Sequence, residues 1–210
     1  MWDDHPQEFR SARRSTMKPV PDLHQITSDL FVWHGYNPEC KTDCTSTAIR
    51  TPDGFVLIDP VRLEEQAIER MVSDDKVVAV LLTNGNHLRG SLYEKERFDV
   101  PICAPNGAQG IIPVDRVVSD GELLWETLRA IALPGGSPGE TAYHAPGVVV
   151  IGDAVTNLDG LQILPEKYCA DLPLLINSLR DLRALEFDIA CFGHGFPIVG
   201  KARQRLTEIV

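Results

Sequence analysis

The chain has 210 residues, of which 43% are hydrophobic and 24% are charged. These values are typical of one globular domain and exclude a mainly disordered or fibrous chain. The formal net charge of −10 leaves no broad basic surface of the kind that binds nucleic acid or an anionic membrane. The longest apolar run, Val77 to Leu82, is far shorter than the roughly 20 residues that a membrane-spanning helix needs, so no transmembrane segment is predicted.

The first 26 residues are polar and carry prolines at Pro6, Pro19 and Pro21, without an apolar periodicity that would build an element. We predict a polar N-terminal arm over residues 1–26, followed by a single domain over residues 27–210. The N-terminus lacks the apolar stretch of a secretory signal, which predicts a cytoplasmic protein. A homo-oligomer in which the arm crosses a neighbouring subunit stays open.

The cysteines are odd in number and irregularly spaced, which favours reduced thiols over a disulfide framework. They are Cys40, Cys44, Cys103, Cys169 and Cys191. Cys40 and Cys44 lie four residues apart in a predicted polar loop and would supply half of a structural zinc site, but no second pair completes it. We therefore favour incidental loop thiols, with Cys191 as an inert thiol in a buried strand.

The first half of the chain predicts short strands followed by a helical crossover. The predicted strands are Leu30 to Trp33, Ser46 to Ile49 and Phe55 to Ile58, the last two forming a hairpin through the turn Pro52-Asp53-Gly54. A helix is predicted over Leu63 to Val72, because Leu63, Ala67, Ile68 and Met71 share one helical face. The apolar run Val77 to Leu82 then predicts a buried strand.

The second half repeats this pattern. A short helix is predicted after Arg89, and strands are predicted at Pro101 to Ala104, Leu128 to Leu133 and Val148 to Ile151. Apolar residues at helical spacing predict a helix between Asp171, as its N-cap, and Leu185. A strand over Asp188 to Phe192 and a last helix from about Lys201 follow. Hairpins mixed with helical crossovers predict an α/β fold with sheets covered by helices.

Polar segments directly after apolar strands are where α/β proteins most often gather their sites. Here they are residues 57–60, 82–90, 151–154 and 192–197, with a turn-rich loop at 133–140 between the second and the third. Each segment alone also fits a turn cap or a local hydrogen-bonding residue. Their order along the chain is the more specific signal.

That order resembles the metallo-β-lactamase fold superfamily, which includes glyoxalase II, lactonases and flavo-diiron proteins. The resemblance covers most of residues 28–200 and implies a four-layer αββα sandwich with mixed β-sheets. In the family pattern Asp59 matches an Asp after an early strand, Asp153 matches the metal-bridging Asp, and His194 matches the last His ligand.

The remaining ligand positions of the family differ in this chain. Against the family loop Thr-His-x-His-x-Asp-His, Thr83 is kept, but Asn84 and Asn86 replace the first two histidines, Leu88 the Asp and Arg89 the third His. Against the loop Pro-Gly-His-x-Pro-Gly, Gly136 replaces the ligand His. The usual dinuclear zinc or iron site is therefore not encoded, because amides and apolar side chains do not replace imidazole or carboxylate donors.

Three basic or titratable residues near these segments leave alternatives open. Arg89 either occupies the cationic position and balances Asp153 or Asp59, or points to solvent at a helix start. His87, one residue beyond a ligand position, either lies outside the site or turns inward and completes a two-His, one-carboxylate set with Asp153 and His194. His34 either borders the cleft mouth or is an exposed loop histidine.

Counting ligands favours a metallo-β-lactamase-fold protein with a degenerate metal site, without a cofactor, whose cleft has a non-catalytic or small-molecule binding role. The cleft candidates are Asp59, Asn84, Asn86 and Arg89. The alternative is an atypical mononuclear hydrolase of an ester, thioester or lactone, with one zinc or iron ion per chain held by Asp153, His194 and His87.

Overall fold

The computed structural model describes residues 17–73 and 75–210. The strands of these residues are β1 (His24–Gln25), β2 (Leu30–Asn37), β3 (Thr42–Thr51), β4 (Gly54–Ile58), β5 (Val77–Leu81), β6 (Ile102–Pro105), β7 (Arg116–Val118), β8 (Leu123–Leu124), β9 (Leu128–Ala132), β10 (Thr141–Ala145), β11 (Gly147–Ile151), β12 (Val155–Thr156), β13 (Gln162–Ile163), β14 (Phe187–Phe192) and β15 (Ile198–Val199). The α-helices are α1 (Glu65–Val72), α2 (Ser91–Phe98), α3 (Leu172–Asp181) and α4 (Ala202–Thr207). In this part of the chain no helix is long and apolar enough to cross a membrane.

The strands form two large mixed sheets. The first contains seven strands in sequence order, β1 to β7, and the second contains six in the order β15-β14-β11-β10-β9-β8. Strands β4 to β7 are parallel to one another, as are β11 and β14, whereas the remaining pairs are antiparallel. β12 and β13 form a separate two-stranded ribbon.

Three apolar clusters separate four layers of secondary structure. In β4, Phe55 and Leu57 pack in the same cluster as Ile68 of α1, whereas Val56 and Ile58 pack against the second sheet. Successive side chains of a strand point to opposite faces of the sheet, so β4 is buried on both sides. A third cluster joins the second sheet to α3 and α4. The layers are therefore helix, sheet, sheet, helix, and the predicted four-layer αββα sandwich is confirmed.

The β2–β3 hairpin is longer than the two strands predicted from the sequence. It pairs from Leu30 with Ile49 to Asn37 with Thr42, which extends both strands through polar residues. Cys44 consequently lies buried in β3, so its assignment to a polar loop is wrong, while Cys40 is exposed in the turn. All five cysteines, which fall within the described ranges, are free thiols. His34 lies in β2 and is partly buried, so it is not an exposed loop histidine.

Part of the predicted N-terminal arm lies outside the described residues, which begin at Met17. Met17 is buried in the cluster against α1, and Val20 forms a β-bridge with Leu63. The strand His24–Gln25, which was not predicted, pairs with β2. Residues 17–26 thus pack on the first sheet, and the division of the chain at residue 26 stays a prediction.

The other predicted helices and strands fall close to their predicted places, whereas β7, β8, β10, β12, β13 and β15 were not predicted. α3 begins after Asp171, whose side chain accepts a hydrogen bond from the backbone N–H of Leu174 as an N-cap. It ends at Asp181, and a 3₁₀ turn over Leu182–Ala184 continues the chain to Leu185, so the predicted single helix is shorter than expected.

Four strands end at one edge of the sandwich and position the polar segments there. Asp59 follows β4, Thr83 follows β5, Asp153 follows β11 and His194 follows β14, each within two residues of the strand end. β4 runs parallel to β5 and β11 to β14, so each pair presents its carboxyl ends on the same edge. A hydrogen bond from the backbone N–H of Thr45 in β3 to the carbonyl of Gly193 after β14 joins the two sheets at this edge.

Candidate functional site

His87 lies at the centre of a buried polar cluster between two carboxylates. Its Nδ1 is 2.8 Å from Oδ2 of Asp59, and its Nε2 is 3.0 Å from Oδ1 of Asp153. Thr83 also binds Asp59, through its backbone N–H to Oδ1 and its hydroxyl to Oδ2. Each ring nitrogen of His87 therefore faces an acceptor, which holds the imidazole in one orientation.

The electrostatics of the cluster favour a protonated His87. Burial and the neighbouring Arg89 guanidinium lower the pKa of His87, but the carboxylates of Asp153 and Asp59 outweigh both and raise it to about 9. Burial acts to raise the pKa of both carboxyl groups, yet His87 and its neighbours hold the pKa of Asp59 below its usual value and that of Asp153 well below. The cluster at neutral pH thus contains an imidazolium between two carboxylates.

Asp153 contacts four side chains of the cluster. Besides His87, its Oδ1 lies 3.3 Å from Nε2 of His194. Its Oδ2 accepts hydrogen bonds from the hydroxyl of Ser137 at 3.0 Å and from the side-chain amide of Asn84 at 3.2 Å. Both carboxylate oxygens of Asp153 are therefore satisfied by protein groups.

Arg89 enters the cleft rather than pointing to solvent. Its guanidinium donates to the backbone carbonyls of Thr45 at 2.7 Å, Gly193 at 2.9 Å and Asp59 at 3.2 Å. The expected direct pairing with a carboxylate is corrected, because the guanidinium binds carbonyls of β3 and of the segments after β4 and β14, although its charge still acts to lower the pKa of Asp59. Its Nη2 lies 3.2 Å from Nε2 of His87.

The backbone of the two loops that carry Asp59 and Arg89 is strained and mutually braced. Asp59 has φ of 49° and Arg89 has φ of 39°, both in the left-handed region that side chains other than glycine rarely adopt. The N–H of Gly90 donates to the carbonyl of Pro60 at 2.8 Å and ties the loops together. A Cβ at Gly90 would lie 2.9 Å from that carbonyl oxygen, so this position requires glycine.

Glu140 belongs to the cluster although the sequence did not single it out. It is buried, its Oε2 accepts from the amide of Asn84 at 3.1 Å, and its Oε1 accepts from the N–H of Ala154 at 3.1 Å. Burial and the nearby Asp153 carboxylate raise the pKa of Glu140 to about 8, so it is mostly neutral at pH 7. The available signal was an acidic residue directly after a Gly-rich loop and before the apolar strand β10.

Most of the residues predicted to form the site are brought together, with one exception. Asp59, Asn84, Arg89, His87, Asp153 and His194 lie in one connected group. Asn86 is exposed and contacts the group only through its backbone N–H, which donates to Oδ1 of Asn84. Leu88 packs on the apolar cluster under the first sheet.

Three of these residues could hold a metal ion. The ligand atoms of His87, Asp153 and His194 all lie within 4.8 Å of one another. Two imidazoles and one carboxylate are the smallest set that binds zinc or iron with positions left open.

Two cavities adjoin the cluster. One, of about 790 Å³, lies beside the Gly-rich loop and is lined by Ser137 and Glu140 among others. The other, of about 190 Å³, is lined by residues of β2, β3 and the loops after Asn157 and His194. The larger has the size of small-molecule binding sites, which range from about 300 to 1,000 Å³.

Comparison with known structures shows the same fold at low sequence identity. The DIM-1 metallo-β-lactamase is 13% identical with a TM-score of 0.75, over 91% of this chain and 95% of that one. A metallo-β-lactamase from Erythrobacter litoralis is 16% identical with a TM-score of 0.71, over 92% and 98%. A mutant of the flavo di-iron protein from Thermotoga maritima is 15% identical with a TM-score of 0.65, over 90% and 62%.

A search of curated proteins found no match. The sequence pattern of the metallo-β-lactamase superfamily matches residues 22–210, nearly the whole chain. On this match, and with the αββα sandwich that the structure shows, the chain belongs to the metallo-β-lactamase superfamily.

Proposed function

We propose that this chain is a metal-independent, non-hydrolytic member of its superfamily whose cleft binds a small molecule. The observation that carries the proposal is the position of Arg89, whose Nη2 lies 3.2 Å from Nε2 of His87. That nitrogen is the atom through which His87 would bind a metal. A guanidinium is always charged, so it places a fixed positive charge where a divalent cation would be held.

The charges of the cluster balance without a metal. Asp59 and Asp153 supply two negative charges, and His87 and Arg89 supply two positive ones, while Glu140 is mostly neutral below pH 8. A divalent ion would have to displace the proton of His87 and would meet the Arg89 guanidinium at close range in a buried site. The residues present therefore fit a metal poorly, although three of them lie close enough to bind one.

The larger cavity supports the binding role. It lies on the side of the cluster formed by Ser137 and Glu140, which contact Asp153 and Asn84 through hydrogen bonds. A ligand in this cavity would meet glycine- and proline-rich backbone and the polar side chains of Asn106, Ser119 and Asp120, with Glu140 buried behind them. Such a site offers hydrogen bonds for recognition but no activated water for hydrolysis.

The alternative is a mononuclear metal hydrolase of an ester, thioester or lactone. The ligand atoms of His87, Asp153 and His194, all within 4.8 Å of one another, favour it. Because this alternative requires a bound zinc or iron ion, metal binding separates it from the main proposal.

Metal binding is tested by titrating the purified full-length chain with zinc and with ferrous iron by calorimetry, after elemental analysis of the protein as isolated. We expect the wild type to bind neither ion with a dissociation constant below about 1 μM, and a chelator to leave its unfolding midpoint unchanged. In Arg89→Ala, which frees Nε2 of His87, zinc binding should strengthen by at least about tenfold. Arg129→Ala, at an exposed side chain of β9, is the matched control and should behave as the wild type.

One zinc or iron ion per wild-type chain, lost in His194→Ala and accompanied by turnover of a chromogenic ester or lactone, would contradict the proposal and establish the hydrolase. If Arg89→Ala is too unstable to purify, Arg89→Met serves instead. Its side chain fills part of the same space but carries no charge against His87.

A further inference from the structure

The smaller cavity is lined by residues that do not belong to the buried polar cluster around His87. It holds about 190 Å³ and is lined by His34, Gly35, Tyr36, Asp43, Leu158, Gly195 and Phe196. Phe196 is 66% exposed and Tyr36 is 57% exposed, which is unusual for two large aromatic side chains around one cavity. Among the described residues that line it there is one carboxylate and neither lysine nor arginine.

The pairing of β2 with β3 sets one side of this cavity. His34 and Tyr36 are two residues apart in β2 and therefore point to the same face of the sheet. Asp43 of β3 is the direct partner of Tyr36, so its side chain lies on that face as well. The negative charge of Asp43 acts on His34, whose pKa is nevertheless lowered by burial and by His24. A neutral imidazole thus faces the cavity at neutral pH.

The loop after β14 sets the other side and is held rigidly. Phe196 exchanges two hydrogen bonds with Asn157, from its backbone N–H to the Asn157 carbonyl and from the Asn157 amide to its own carbonyl. Gly195 has φ of 94°, and a Cβ there would lie 2.1 Å from the backbone of Asn157, so only glycine allows this contact. The ring centroid of Phe196 is thereby held 4.9 Å from that of His34.

From this arrangement we infer that the cavity lined by His34, Tyr36, Asp43 and Phe196 binds the methylated ammonium group of a small organic cation. Aromatic faces attract a quaternary ammonium through their quadrupoles, and Asp43 supplies the opposite charge. At about 30 Å³ for each water-sized group, the cavity has room for about six heavy atoms, enough for a trimethylammonium head. The net charge of −10 also favours a cationic ligand.

The inference goes beyond the proposed function, because it concerns the mouth of the cleft and none of its residues belongs to the charge-balanced cluster. The test compares choline with 3,3-dimethylbutan-1-ol, a neutral molecule of the same shape, by NMR titration of the full-length wild type at pH 7.5. We expect choline to bind about tenfold more tightly than the neutral isostere and to shift the ring signals of Phe196 and Tyr36.

Three variants test separately the two rings and the carboxylate that line this cavity, which together we call the cage. Phe196→Leu and Tyr36→Leu keep an apolar wall but remove the ring, and each should weaken choline binding about threefold or more while hardly changing binding of the isostere. Asp43→Asn should weaken choline binding and reduce its dependence on salt. Tyr168→Leu, which replaces another exposed tyrosine outside the cavity, is the matched control and should leave choline binding unchanged.

Equal affinities for choline and the isostere, or choline binding that survives all three cage variants, would overturn the inference. A thermal melt of each variant shows whether it is folded, and the exposure of Phe196 and Tyr36 predicts that it is. Zinc binding by the wild type would refute the metal-independent proposal while leaving this result intact, so the two failures are distinguishable.

Discussion

Replacing Asp59 by Asn tests whether the buried charges stabilise one another. Asn has nearly the same shape as Asp and is the residue that best tolerates the φ of 49° at this position apart from glycine, so the backbone should not change. The substitution removes one negative charge and places an amide or a neutral oxygen opposite Nδ1 of His87, where a carboxylate oxygen now lies at 2.8 Å.

Two arguments give the size of the expected loss in the free energy of unfolding. Removing one partner of a buried ion pair typically costs about 3–5 kcal/mol. His87 retains Asp153, and it can also lose its proton; with Asp59 ionised this loss costs about 3 kcal/mol at pH 7 from a pKa of about 9, which is an upper bound for the variant because Asp59 itself helps to raise that pKa. We therefore expect Asp59→Asn to lower the free energy of unfolding by about 3 kcal/mol. In a chain of this size that loss corresponds to a fall of roughly 6–12 °C in Tm.

The pH dependence of the free energy of unfolding shows whether protonated His87 stabilises the fold. The folded-state pKa of His87 is raised to about 9 from 6.5, so its stabilisation is complete below pH 6.5 and is lost as the pH rises through 9. Urea unfolding of the wild type between pH 6 and pH 9.5 should show this loss, and Asp59→Asn should show less of it. Adding His87→Gln completes a double-mutant cycle, with an expected coupling of about 2 kcal/mol between the two side chains.

Asp53→Asn, in the exposed hairpin turn, is the matched control and should change stability by no more than about 0.5 kcal/mol. A loss below about 1 kcal/mol for Asp59→Asn, or a coupling near zero, would refute the reasoning that the cluster is held by compensating charges.

Further expectations concern groups around the cluster and behind the first sheet. Glu94 is 1% exposed and neither of its carboxylate oxygens has a hydrogen-bond partner; burial raises its pKa to about 7 from 4.5, so the stability it contributes is lost as the pH rises from 4.5 through 7. The free energy of unfolding of Glu94→Gln should therefore rise by about 3 kcal/mol relative to that of the wild type between pH 4.5 and pH 8, as measured by urea titration. Gly193→Ala places a Cβ 2.6 Å from Cε1 of His87 and should cost about 1–3 kcal/mol in the same assay, with altered histidine signals in NMR spectra. Thr83→Val removes the hydroxyl that donates to Asp59 at 2.6 Å and should cost about 1–2 kcal/mol, measured as a shift of the urea midpoint.

The fold was predictable where apolar residues follow one period for several residues. The run that became β5 and the helical stripe of α3 are both of this kind, and both lie close to their predicted places. Strands of two or three residues, such as Arg116–Val118 and Ile198–Val199, carry no such pattern and form because a neighbouring strand offers hydrogen-bond partners. The polar end of the β2–β3 hairpin was missed for the same reason.

The site was predictable in its strand-end residues but not in how they interact. Asp59, Asp153 and His194 follow buried strands, and that context is visible in the sequence. Whether His87 turned inward depended on the course of the loop, which is bent where Oδ1 of Asn84 accepts the N–H of Asn86. Such a local turn between two asparagines shifts the side chain that faces the cleft by one position, and spacing alone does not show it.

On the proposed function, the family's ligand residues are exchanged in this chain for other cations, without a loss of the buried carboxylates. Asp59 and Asp153 remain buried at the sheet edges, and a buried carboxylate needs a cation or several hydrogen bonds to stay ionised. His87 and Arg89 provide the cations, and Arg89 is held in place by three backbone carbonyls. A single reversion toward the family pattern, such as Arg89→His, would remove a fixed charge without restoring the other donors. We therefore expect that removing Arg89 alone strengthens zinc binding only at the three ligands His87, Asp153 and His194, and that the dinuclear site of the family returns only when several positions change together.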